Sequence, residues 1–202
     1  MQQKIEAFKQ HLAEISANPQ FVHHKWFVKW HLEIVERLSL ELADLHPEAD
    51  RDLVQVMAWL HDYGKILDFA HQNDRALLNK GQDELVRIGF APDFAAKAAD
   101  YVEWLDKKME VDLREAPIEV QIVSTADGCS HFVGPFTYIF WHEATDATFT
   151  NKTVEQLMEL NISKANKDWN RKIVLPEARN AFEGRYHYLL ERSGILPERF
   201  FS

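Results

Sequence analysis

The chain has 202 residues and a mass of 23.6 kDa, enough for one large domain with its own core. Its 46% apolar and 27% charged residues exclude wholesale disorder, and seven glycines and seven prolines are too few for the turns of an all-β chain. A net charge of −9 excludes a broad nucleic-acid footprint but not a small anion held by local cations, and a single cysteine, Cys129, excludes an intrachain disulfide or a thiolate-built metal cluster.

The apolar pattern is helical nearly throughout. Ile5, Phe8, Leu12 and Ile15 form a short amphipathic stripe that Asn18-Pro19 ends. Phe27, His31, Ile34, Val35, Leu38, Leu42 and Leu45 make the next stripe, stopped before Pro47. Leu53, Val56, Met57, Leu60, His61 and Gly64 share one face of a third helix, with Gly64 at a left-handed exit. Asn73-Asp74 can cap a following helix, Gln82 to Ile88 forms another, and Pro92 opens one carrying Phe94, Ala98, Tyr101 and Leu105. Pro117 opens a helix with Val120, Val123 and Asp127 on one face.

Residues 128–150 are aromatic, Thr-rich and aperiodic, which predicts a long ordered loop or lid. Thr153 and Gln156 have the spacing of a capping box for a helix through Leu160, and Pro176 starts a last long helix. The longest stretch free of Asp, Glu, Lys and Arg, Gly128 to His142, is too short to cross a bilayer. With no signal-like start, the expected location is the cytoplasm. The expected fold is all-α.

Three stripes contain a residue that a plain core does not need: His31, His61 and Asp127, with Asp62 following His61 directly. A buried carboxylate without a partner costs several kcal/mol. Two imidazoles and two carboxylates converging from three helices would satisfy one another through one divalent ion. The His-Asp doublet alone means little, since composition predicts roughly 0.7 such pairs by chance. Adding Gly64 and Lys65 lowers the expectation to roughly 0.002.

The string Ala58-Trp59-Leu60-His61-Asp62-Tyr63-Gly64-Lys65, an upstream His31 and a distal Asp127 at the end of Ile122-Val123-Ser124-Thr125-Ala126 together resemble the HD-domain superfamily of metal-dependent phosphohydrolases. The resemblance covers about residues 20–132, with 133–202 as a helical elaboration packed on that bundle core in one domain spanning 1–202. It implies His31, His61, Asp62 and Asp127 as ligands of one divalent metal ion. The nitrogen-and-carboxylate set suits Mn, Fe, Ni, Co or Mg, with Zn a further option. Two-metal members of the family carry extra histidines between the doublet and the distal Asp; here His71 alone lies there, which points to one metal and away from a di-iron oxygenase.

The implied activity is hydrolysis of a small phosphate ester, possibly a nucleotide, by metal-activated water. Besides Asp62 as ligand, Lys65 is placed to meet the phosphoryl group, or else to answer the helix dipole. Asp68 or His71 would supply a proton to the leaving oxygen. Lys164, Lys167 and Arg171, with Lys172 beside them, would hold a substrate phosphate if their helix folds over the site; otherwise they form a solvated face. His131 is at best a supporting group, because Gly128 stands between it and Asp127. His23-His24 and His142-Glu143 read as rim or surface, and Phe132, Phe136, Tyr138, Phe140 and Trp141 as satellite core or a base-stacking wall. The alternative function is a non-catalytic HD-type module that senses a ligand or docks a partner.

Overall fold

A computed structural model describes residues 1–145 and 152–199. Helix α1 (Gln2–Ser16) buries Ile5, Phe8 and Leu12, the stripe its periodicity predicts. A π-helical turn over Val28–Leu32 runs without a break into α2 (Glu33–Ala43). At α3 (Arg51–Leu60) the Asp50 carboxylate accepts the Leu53 N–H at 3.1 Å and so caps the helix. Every side chain from Leu53 to Leu60 is buried, a pattern possible only for a helix covered on all sides. Then come α4 (Tyr63–Leu67), a 3-10 turn over Phe69–His71, α5 (Arg75–Ile88), α6 (Pro92–Asp106) and α7 (Ile118–Ser130). Helices α1, α2, α6 and α7 supply the cover around α3.

The remaining elements are α8 (Phe136–Thr145), α9 (Val154–Lys167), a second π-helical turn over Asp168–Lys172, and α10 (Pro176–Arg192). Thr153 and Gln156 form the expected capping box for α9, which runs on past Leu160 to Lys167. No strand occurs among the described residues, and no helix there is long and apolar enough to cross a membrane. The fold is all-α.

Three expectations change. The segment 75–88 is one continuous helix rather than two. Residues 128–150 are not a loop up to residue 145: α7 passes through Gly128 to Ser130, and Phe136–Thr145 is helical, while 146–150 lie outside the described residues. Gly64 is not a left-handed exit but lies inside α4, where a Cβ would run into the Gln72 carbonyl oxygen.

Gly128, which composition alone marks as a helix break, also serves a close approach. A Cβ there would stand 2.8 Å from Ile173 Cγ1 and 3.0 Å from Lys172 Cβ. The bare backbone lets the second π turn lie directly on α7. Hydroxyls of α7 then fasten it: Ser124 Oγ donates to the Lys172 carbonyl at 3.1 Å, and Thr125 Oγ1 accepts the Val174 N–H at 3.2 Å. Gly128→Ala should lower stability by about 1–3 kcal/mol through overpacking. Thermal unfolding of the variant, with a fall in Tm of about 3–10 °C expected, checks this contact.

Candidate metal centre

Both π-helical turns deliver ionisable groups to one cavity of about 420 Å³. A π turn widens the helix by one residue and rotates the residues after it, and such turns are frequent at functional sites. The first carries His31, the second Asp168 and Lys172. His61 and Asp62 lie just past the end of α3, and Asp127 sits near the end of α7.

The four residues expected to gather do lie together. His31 Nε2 is 3.0 Å from Asp62 Oδ2, 3.3 Å from His61 Nε2 and 3.8 Å from Asp127 Oδ1. His61 Nε2 lies 3.4 Å from Asp62 Oδ2 and 3.9 Å from Asp127 Oδ1. Ligand atoms bound about 2.1 Å from one ion stand about 3–4 Å from one another, so this spacing fits a shared cation. Tautomers fit as well. His61 Nδ1 donates to the Ala58 carbonyl at 2.9 Å, which leaves the Nε2 lone pair facing the cluster.

His131 lies in the same group: expected at best as a supporting group on account of Gly128, it is brought beside Asp127 because α7 runs unbroken through that glycine. Its Nε2 lies 3.6 Å from Asp127 Oδ1, and its ring stacks parallel to His31 with centroids 5.5 Å apart. His31, Asp127 and His131 form a second triad of donor atoms beside His31, His61 and Asp62. Behind it the fully buried Asp168 accepts from His131 Nδ1 at 2.8 Å. A carboxylate holding the outer nitrogen of an imidazole is the usual support for a metal-ligating histidine. Nothing in the sequence pattern marks Asp168, since an acid among lysines reads as a surface residue.

Electrostatics follow from burial. Burial alone would raise both carboxyls, but Lys65 and the histidines beside Asp62, and Lys172 and the histidines beside Asp127, hold them well below the ordinary range. Lys65 Nζ and Lys172 Nζ each lie 2.6 Å from their acid. Burial pushes His131 down to about 3 and also lowers His31, so both are neutral imidazoles at neutral pH, the form that binds metal. His61 is raised: burial pulls it down, but contact with Asp62 outweighs that. Burial and the facing Lys172 take Lys164 down to about 8, against the pull of Asp168.

Asp68 is not brought to the centre. Its half-exposed carboxylate accepts the Ala70 and His71 N–H groups and pairs with His71 Nδ1 at 2.9 Å, with His71 itself largely in solvent. The acid that does line the cavity is Asp106 at the end of α6, which belongs to no motif in the sequence. Burial pushes its carboxyl up to about 6.

Lys164, Lys167 and Lys172 line the cavity, whereas Arg171 faces a separate one with Arg114 and Arg179. Phe136 and Phe140 form part of the wall, stacked at 6.0 Å, while Tyr138 is exposed and Phe132 packs on Tyr186. His23, expected at the surface, is buried on the cavity wall and bonded through Nδ1 to Glu143 of α8 at 2.8 Å.

Among known families, the HD-domain model matches residues 30–131, just over half of the chain. The chain belongs to the HD-domain family. HD domains are commonly metal-dependent phosphohydrolases, and the matched span starts one residue before His31 and ends on His131. No curated protein and no solved structure matches this chain.

Two measurements check this geometry. Asp168→Asn should weaken Mn²⁺ binding by about 10–100-fold, read by calorimetry, because His131 loses its orienting carboxylate. For metal-free protein, Asp106→Asn should raise stability at pH 8 by up to about 3 kcal/mol. The folded carboxyl titrates above its unfolded value of 3.8, so the ionised form is penalised only in the folded state. That penalty is absent below pH 3.8, grows between 3.8 and about 6, and is full above it. The Tm gap between variant and parent should therefore close on acidification to pH 3.5.

Proposed function

We propose that this HD-domain protein is a metal-dependent phosphohydrolase that cleaves a small phosphate ester. The observation that carries the reading is the convergence of His31, His61, Asp62 and Asp127 within 3.0–3.9 Å contacts at the floor of a cavity walled by lysines. In a chain of net charge −9, five lysines line that one cavity, a local reversal of sign suited to an anion.

His31, His61, Asp62 and Asp127 would hold the ion, with His131 as a further donor. A bound divalent ion of the Mn, Fe, Ni, Co or Mg class lowers the pKa of water and polarises a phosphoryl oxygen. The chain itself supplies the rest. Lys65 and Lys172, each fixed against a ligand carboxylate, present ammonium groups on two sides of the centre and stabilise charge that grows on the equatorial oxygens. Asp106, with its carboxyl at about 6, stands on the cavity wall as a proton source for a departing oxygen, the role expected of Asp68. Trp26, Phe27, Phe69, Phe136 and Phe140 give the organic part an apolar wall and keep water from it.

The test is turnover of a generic aryl phosphate with added Mn²⁺. His61→Ala and Asp127→Ala should each lower kcat/KM by at least about 100-fold, and chelation should abolish turnover in the parent. Turnover that survives either substitution overturns the assignment. Metal binding without turnover across phosphate esters, together with ligand-dependent thermal stabilisation, would instead favour a sensing module.

A further inference from the structure

The five cavity lysines are not equivalent. Lys65 and Lys172 are committed to Asp62 and Asp127, and Lys164 lies 3.3 Å from Asp168. Lys108 and Lys167 form no ion pair among the described residues. Among the described residues the Lys108 ammonium donates only to the Leu105 carbonyl, at 3.0 Å, and Lys167 makes no hydrogen bond or ion pair. Lys108 is half-buried, and after burial itself the facing Lys172 is the strongest influence depressing its pKa, with Lys167 adding to it. Two cations thus line one cavity without an ion pair of their own, although Asp127 and Asp106 attract Lys108 through space.

Charge arithmetic says how much anion the cavity can take. Five lysines face Asp62, Asp106 and Asp127 on the wall, with Asp168 behind, an excess of one positive charge. A divalent ion raises the excess to three. One phosphoryl group brings about two negative charges at neutral pH, and each linked phosphoryl group adds about one more. A monoester would therefore leave one positive charge unanswered, the charge that one further linked phosphoryl group brings, and Lys108 and Lys167 are the two cavity lysines without an ion pair of their own.

We propose that Lys108 and Lys167 form a second phosphate subsite, so that the cavity takes esters carrying two or more linked phosphoryl groups on a planar organic part. The first phosphoryl group lies at the His31–His61–Asp62–Asp127 centre and the second between the α6–α7 connection and the end of α9. The planar part rests on Phe136 and Phe140. This rests on the reading of the cavity as a phosphate-ester site. It also gives the elaboration beyond residue 132 a role in binding, because Lys167 and both aromatic rings come from it.

The experiment is calorimetric titration of the full-length, metal-free protein with inorganic pyrophosphate and, separately, orthophosphate; omitting the ion prevents chelation by free pyrophosphate. Pyrophosphate should bind at least about 10-fold more tightly, the equivalent of two modest ion pairs. In the Lys108→Ala/Lys167→Ala double variant the gap should shrink below about threefold. The single variant Lys167→Gln, at an exposed position, should shrink it part-way and guards against misfolding of the double variant. Equal affinities in the parent, or a gap that persists in the double variant, overturn the subsite. The aryl phosphate assay separates the two readings: turnover without a pyrophosphate preference sinks the subsite alone. A lysine-dependent preference with no turnover of either the aryl phosphate or an aryl diphosphate keeps the subsite and sinks the hydrolase.

Discussion

The contact on which most of the architecture depends is the 2.6 Å pair between Lys172 and Asp127. A carboxylate at the end of a buried helix face needs a cation, and this one comes from 45 residues further along the chain. Several neighbouring features let the pair form. Gly128 gives up its side chain so that backbone meets backbone, the hydroxyls of Ser124 and Thr125 hold the strap, and the π turn swings Lys172 inward while Asp168 goes under His131. The pair joins the part of the chain that matches the family to the part that does not.

The centre is a network of partial compensations. His31 stands between two triads, touching Asp62 on one side and lying parallel to His131 on the other. Removing any one member leaves another buried charge exposed to low dielectric, so single substitutions here report on the whole group and not on one contact.

Much of this is legible in the sequence, for identifiable reasons. Helical spacing places Ile5, Phe8 and Leu12 inside, and the capping box at Thr153 starts α9 where expected, because both are local signals. His31, His61 and Asp127 stand out because an Asp or His on an apolar face has few explanations, and the resemblance to the family completes the donor set with Asp62. Local signals fail where a glycine reads as a break. Gly64 serves an approach to Gln72 across the following turn and Gly128 one to Ile173, far along the chain, and helical periodicity carries neither. His131 reads as no more than a supporting group for that reason alone. Asp68 looks like a proton donor by proximity in sequence to the doublet, but its carboxylate is spent on the next turn's N–H groups, while Asp106 reaches the cavity from a different helix. Asp168 and Lys172 can be seen as charges, yet that one is sealed and the other aimed inward depends on the π turn, which propensity does not foretell.

The lysines that face Asp62 and Asp127 have one more implication. Each acid is provided with a positive partner from within the polypeptide, so assembly of the core does not wait for an ion to arrive. Many small metalloproteins are random chains until loaded. This chain carries its own counter-charges beside Asp62 and Asp127. An ion would then enter a cavity in a scaffold that is already folded.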